Sequence, residues 1–304
     1  MPASSAVDHL IGTQNLNLDP TRAYHFLHER EPAANIPGRK SIAEVSTLFL
    51  TVSRCPVGCA MCDLHLNTLS HPTPPGHLER QIRGALERLP PADWIKLYNS
   101  GNFFDPKSIP PDEYDAIAEC CEGFERIIIE NHPRFGRSRH ESFRDLLPGR
   151  LEIAVGLETV QPRWLARLQK QMTRDDFDRY AKCLKSWDID LRVFLIVGVP
   201  ESTTAEAVRW ARLSVRHAAY MGARHISLIP ARAGHGWNGA ANSLPEIGLA
   251  VLSDLFAESL ADVATMACVS VDLWGFEQDD LPPEQSDHLR RLERAILAQD
   301  ASHL

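Results

Sequence analysis

The sequence predicts an α/β fold: a partial (β/α)6 TIM-type barrel of parallel strands, with an N-terminal arm and a C-terminal strand/helix extension. Three observations predict it. Short β-rich runs alternate with helical patterns at regular spacing, which implies βαβ units and parallel pairing. The runs are near-continuously apolar, so both faces of the sheet are covered. Three cysteines follow directly on the first run, at the end of the strands where such barrels carry their chemistry.

Residues 1–45 form the arm. They are polar, with Pro20, Pro32 and Pro37, and "PTRAYHFLHER" reads as a short helix packed on the main domain. The barrel is assigned to residues 46–276. Its first strand is "TLFLTVS" (47–53). "LERQIRGALERL" (78–89) is helical because Leu78, Ile82, Ala85, Leu86 and Leu89 share one face. "WIKLYNSG" (94–101) is a strand stopped by glycine, and "PDEYDAIAECCEGF" is the helix after it. "RIIIEN" (126–131) is a buried strand, "ESFRDLL" a short helix, and "LEIAVGLET" (151–159) the fourth strand, with helical patterns across 162–187. "LRVFLIVGVP" (191–200) is the clearest strand. Its helix opens with Thr203 and Glu206 at capping-box spacing, turns Val208, Ala211, Val215 and Ala218 inward, and stops at Gly222. "HISLIPARAG" (225–234) is the sixth strand and its loop. A helix near 244–262 and the run "VSVDLWGF" (269–276) follow. Residues 277–304 are a helical extension, with its helix near 283–298.

With 304 residues and 44% hydrophobic content, the chain is long enough to bury one sizeable core. A formal net charge of −8 argues against a protein whose main task is gripping nucleic acid. The start, "MPASSAVDHLIGTQN", has no basic stretch followed by an apolar run, so no signal peptide is expected. No apolar stretch approaches the roughly 20 residues that cross a bilayer. The expected location is cytoplasmic, and no membrane partner is expected.

In "SRCPVGCAMCDLH" (53–65), Cys55, Cys59 and Cys62 fall at C-x3-C-x2-C spacing. A chain this large, with an odd count of seven cysteines, does not read as a disulfide framework. Thiolates hold iron–sulfur clusters, and three on a four-iron cluster leave one iron open to an outside ligand. Zinc held by the three thiols and His65 is a second reading, since Cys3His is a structural zinc set; unligated thiols are a third. The barrel context favours the first, because structural zinc staples small loop-rich modules. Cys120, Cys121, Cys183 and Cys268 read as small buried hydrophobes.

"CPVGCAMC" directly after a first strand resembles the signature of the radical S-adenosylmethionine (radical SAM) superfamily, C-x3-C-x-Φ-C, with Met61 in the Φ position. Within it, "IKLYNSGNFFDP", "IIIENHPRF", "VGLETV" and "VDLWGF" resemble segments of the archaeosine-synthase radical SAM subunit and its uncharacterised relatives. The resemblance implies a 4Fe–4S cluster on Cys55, Cys59 and Cys62, with S-adenosylmethionine chelating the open iron. It also implies reductive cleavage of that molecule to methionine and a 5′-deoxyadenosyl radical, which abstracts hydrogen from a substrate. Met61 then lies beside adenine.

The superfamily's second strand often ends in a "GGE"-like motif that receives the amino group. Asn99, Ser100 and Gly101 stand at that place, without the glutamate, and equally suit a plain turn. Glu158 and Thr159 stand where relatives bind ribose hydroxyls; Thr159 also suits a helix N-cap. Gly198 and Glu201 resemble the adenine-side motif, with dipole pairing the other reading of Glu201. Ser227, Ile229 and Pro230 flank adenine on this reading. Arg192, ahead of Lys170, is the candidate for the methionyl carboxylate. His132, His235, Trp237 and Trp274 are candidates to touch substrate, with Asn131 pointing the same way.

Three functions compete. The first is a radical SAM enzyme acting on a small-molecule or nucleoside-like substrate, fed by an electron donor such as a flavodoxin or ferredoxin. The second is a tRNA-modifying, archaeosine-synthase-like lyase acting on a modified deazaguanine. The third is a structural zinc-binding protein.

Overall fold

The computed structural model describes residues 18–33, 41–136, 138–233, 236–237, 240–263, 265–276 and 281–304. Its centre is one curled eight-stranded sheet whose spatial order follows the chain. The strands are β1 (His25–Pro32), β2 (Ile42–Phe49), β3 (Trp94–Tyr98), β4 (Arg126–Glu130), β5 (Arg150–Glu158), β6 (Asp190–Val197), β7 (Ala223–Pro230) and β8 (Cys268–Val271). β1 runs antiparallel to β2, and every later neighbour pairs in parallel. The helices are α1 (His77–Leu86), α2 (Tyr114–Cys120), α3 (Arg139–Leu146), α4 (Pro162–Arg167), α5 (Arg174–Ser186), α6 (Thr204–Tyr220), α7 (Leu249–Val263) and α8 (Pro283–Ala298). The partial TIM-type barrel is therefore observed, and β8 pairs with β7 as a further parallel strand.

Period-two alternation sorts each strand between a core and a concave face. Ile95, Leu97, Ile127, Ile129, Ile153, Val155, Val193, Leu195, Ile226 and Leu228 join the buried core with the helices' apolar residues. The alternate positions carry Lys96, Tyr98, Arg126, Glu152, Arg192, Phe194 and His225. Thr203 caps α6 in the reciprocal capping box that its spacing predicts, and Gly222 follows the helix at φ +91°. Leu289, Leu292, Ala295 and Ile296 of α8 belong to the same core.

One element differs in kind. "PTRAYHFLHER" is not a helix: after a turn it becomes β1, paired with β2 from His25↔Phe49 to Pro32↔Ile42. Its charged residues look like a solvated helix face until their distant partners are known. The Glu29 carboxylate accepts from Lys96 at 2.8 Å, and Glu31 accepts from Arg192 at 2.8 and 2.6 Å. Pro32 closes the strand at the sheet edge, where a missing N–H is tolerated.

Candidate active site at the C-terminal edge of the sheet

The β2–α1 connection carries the three cysteines, all half-buried. Three neighbours hold this loop by its backbone. The Ala60 N–H donates to the Leu168 carbonyl at 2.9 Å, and Gln171 Nε2 donates to the Val57 carbonyl at 2.7 Å. The Trp237 N–H donates to the Ala60 carbonyl. Gly236 lies so close that a Cβ there would fall 2.3 Å from the Met61 oxygen. Gly58, at φ +68°, lets the loop turn between the first two cysteines.

The thiols feel one another electrostatically. Among the described residues, no three His, Cys, Asp or Glu side chains are grouped as ligands of a single ion. Burial pushes Cys62 up to about 11 and raises Cys59. Both therefore carry a proton at neutral pH that a bound metal would have to displace.

A buried cation stands beside them. Lys170 Nζ donates to Glu158 Oε1 at 2.7 Å, with the side chains 13% and 10% exposed. Burial works against the charge of Lys170, but Glu158 and Cys59 outweigh it and hold the ammonium above its ordinary range. Gly156 makes room for the pair, since a Cβ there would lie 2.3 Å from Glu158 Oε1 and 2.5 Å from Lys170 Nζ. A bulge between Gly156 and Glu158, with Glu158 at φ +63°, turns the carboxylate at the strand end.

The β3 end supplies the next wall. Its loop folds over the Glu130 carboxylate, which accepts from the Asn99 N–H at 2.7 Å and the Gly101 N–H at 3.3 Å. Burial raises the Glu130 pKa, while these N–H bonds oppose the rise. Ser100, at φ +50°, shares a 2.9 Å hydrogen bond with Tyr24. Asn99 Nδ2 donates to Ser108 at 3.1 Å, and Asn99 Oδ1 is buried without a partner. Asn102 Nδ2 donates to Cys55 Sγ at 3.2 Å.

The structure thus brings Cys55, Cys59, Cys62, Met61, Asn99, Ser100, Gly101 and Glu158 to one edge, with Lys170. Thr159 follows Glu158, but its hydroxyl accepts from the Gln161 N–H at 3.1 Å, and Gln161 rather than Thr159 caps α4. Gly198 sits at φ +94°, where a Cβ would fall 2.6 Å from Pro245 Cγ. Ser227 accepts from Ser270 at 3.1 Å, and Ile229, half-buried, ends β7 beside Pro230. Trp237 packs among Trp164, Leu168, Ile196 and Val199 beside Met61. Trp274 is exposed at the end of β8, with the Arg232 guanidinium 5.0 Å from its ring.

Other expected residues lie elsewhere. Arg192 belongs to the start of β6, the opposite end of the strand, where Glu31 and Glu152 saturate it. It is not brought to the thiols; Lys170 is. Glu201 is at the surface, paired with Arg167 at 2.9 Å. The His132 ring lines an outer cavity of about 440 Å³ between α3 and α5, and its Nε2 meets the Lys170 carbonyl at 3.0 Å. Burial, then Lys170, lower its pKa to about 4 and keep the ring neutral. Asn131 is tied to Tyr180 and the Phe135 carbonyl. His235 lies outside the described residues. Cys183 is exposed rather than buried, whereas Cys120, Cys121 and Cys268 are buried.

Sequence reasoning passed over Glu130, Tyr24, Asn102 and Gln171 as site residues. Glu130 left a signal, as the carboxylate that follows three isoleucines in "RIIIE".

No family model matches the chain. An uncharacterized protein of Methanocaldococcus jannaschii, MJ0550, is 23% identical over 206 residues, covering 63% of this chain and 56% of that protein. Streptococcus suis SuiB, crystallised bound to S-adenosylmethionine, superposes with a TM-score of 0.54 at 13% identity, over 74% of this chain and 51% of SuiB. Methylornithine synthase (PylB) superposes with a TM-score of 0.52 at 13% identity, over 86% of each chain. The chain spans little more than half the length of MJ0550 and about half of SuiB. Among the described residues, no helix is long and apolar enough to cross a membrane. The chain therefore has the curled, mostly parallel half-barrel fold found in SuiB and PylB.

Proposed function

We propose that this protein is a radical SAM enzyme acting on a small-molecule or nucleoside-like substrate. One observation carries the reading: three thiols on one clamped loop, beside a buried Lys170–Glu158 pair and an unpartnered Asn99 oxygen. The donor set fits a 4Fe–4S cluster with bound S-adenosylmethionine. Three thiols supplied by one short loop suit a polynuclear cluster. Lys170 suits a carboxylate, and Asn99 Oδ1 an ammonium. Cys55, Cys59 and Cys62 would hold the cluster; Asn99 and Ser100 would take the amino group, Lys170 the carboxylate, and Glu158 the ribose hydroxyls. When bound, the pair supplies a 5′-deoxyadenosyl radical by one-electron cleavage of the sulfonium.

The protein's own residues orient and shield that chemistry. Gln171, Leu168 and Trp237 fix the thiol loop, while Glu130 fixes the β3 loop. SuiB, with the same fold, is itself seen with S-adenosylmethionine, which supports the assignment. The exposed Trp274, stacked on Arg232, offers a planar cationic platform at the mouth. That platform favours a nucleobase-like substrate and keeps the deazaguanine lyase as a second reading. An acidic flavodoxin or ferredoxin would supply electrons, and seven cysteines that do not read as a disulfide framework suit the cytoplasm.

Anaerobically reconstituted protein should bind about four irons per chain. With a reductant and S-adenosylmethionine it should release 5′-deoxyadenosine, and Cys59→Ala should abolish this. Colourless protein holding only zinc would overturn the reading. Release that requires added tRNA would select the lyase.

A further inference from the structure

We infer that Asn102 sets the reduction potential of a cluster held by Cys55, by donating an oriented N–H···S hydrogen bond to one of its ligands. The inference rests on the cluster reading above. Asn102 is 2% exposed and lies just beyond the β3 loop. Its Oδ1 accepts from the His132 backbone N–H at 2.9 Å. A backbone N–H can only donate, so the amide orientation is fixed, and the Nδ2 protons must face Cys55 Sγ at 3.2 Å. His132 is itself braced, by Nε2 against the Lys170 carbonyl and by Nδ1 accepting from the Arg134 N–H at 3.2 Å.

Gln171, Leu168 and Trp237 secure the loop through its backbone atoms. The Val57 N–H reaches Cys55 Sγ at 3.5 Å, and among the described residues Asn102 brings the side-chain donor to that sulfur, at 3.2 Å. Hydrogen bonds to cluster sulfurs stabilise the more negative, reduced state and raise the potential. Asn102 is thus a positioning residue for electron entry, not a group that touches substrate.

The test is an EPR-monitored redox titration of the reconstituted protein. Asn102→Leu should lower the midpoint potential by about tenfold in the reduction equilibrium, ~59 mV for one electron. Asn102→Asp keeps the acceptor for His132 but replaces the donor with a negative oxygen, and should lower the potential further. Ser108→Ala removes the hydrogen bond that Asn99 Nδ2 makes beside the same β3 loop and touches no sulfur, so it should leave the potential unchanged. An unchanged potential in both Asn102 variants, or an equal shift in Ser108→Ala, overturns the inference. Should either Asn102 variant assemble no cluster, pulsed EPR of the reduced wild-type protein, labelled with nitrogen-15 asparagine, decides the matter. A nitrogen coupling supports the inference and its absence overturns it. Wild-type protein that assembles no cluster overturns the enzyme reading itself.

Discussion

At the N-terminal end of the parallel strands, charged side chains meet other charged side chains. At the C-terminal end a buried ion pair, Lys170–Glu158, stands beside thiols, backbone N–H groups and an open acceptor. Glu152, fully buried, bonds Arg126 at 2.9 Å, Arg192 at 3.0 Å and Arg224 at 2.9 Å; Trp94 receives Arg126 and Arg224 against its ring. Glu31 completes the set through Arg192 and Lys96. The other end holds the residues with positive φ that no helix terminus explains: Ser100, Glu158, Gln171, Glu201 and Trp237. Backbone strain persists only where the surroundings impose it, and the ion-paired end supplies a rigid base for that. The difference teaches which end is frame and which is machinery.

The largest expected effect breaks the frame. Glu152→Ala leaves the buried Arg224 without its carboxylate and takes one of two acidic partners from Arg126 and from Arg192; it should lower unfolding free energy by about 3–5 kcal/mol, read from the urea midpoint. Burial works to raise the Glu152 pKa, but Arg224, Arg192 and Arg126 outweigh it and hold the carboxyl well below the carboxylate range. A depressed folded pKa stabilises above the unfolded value, ~4.3, and that contribution is lost only as pH falls toward the folded one. Wild-type stability should therefore decline with acid below about pH 4, and Glu152→Gln should flatten that limb.

A smaller effect sharpens the contrast at the other end. Lys170→Met leaves the Glu158 carboxylate buried without its cation, at about 1–3 kcal/mol. Adding Glu158→Gln should recover much of the lost stability, because the two side chains couple directly. It should not recover S-adenosylmethionine binding, measured by equilibrium dialysis on reconstituted protein. A pair that served only as frame would recover both together.

This division also explains what was legible in the sequence. The parallel strands and their helices follow from periodicity, and Thr203 with Glu206 announces its own cap. Cys55, Cys59 and Cys62 are close in sequence, so their spacing alone exposes them. β1 is different, because Glu29 and Glu31 acquire meaning only from Lys96 and Arg192, far along the chain. Arg192 misled for the same reason: the start of a strand is the frame end, and its pairing with Glu31 is set by the fold. The sequence ranks Lys170 only behind Arg192, because its approach to the thiols, like that of Asn102, is made from another loop.

The smallest effect concerns Glu201, which the sequence places with the adenine-side residues and the structure places at the surface. Its side chain is 74% exposed and its partner Arg167 is 45% exposed. An ion pair this open to water contributes well under about 1 kcal/mol. The backbone matters more than the carboxylate. The Glu201 N–H donates to the Ser243 carbonyl at 2.7 Å, and φ is +65°. Glu201→Ala should therefore leave both the urea midpoint and S-adenosylmethionine affinity near wild type. Glu201→Gly should be neutral or slightly stabilising, because glycine relieves the left-handed backbone. A large loss of affinity in Glu201→Ala, with the midpoint unchanged, would mean that the carboxylate turns inward when the site fills, and the boundary between frame and machinery would shift outward to include it.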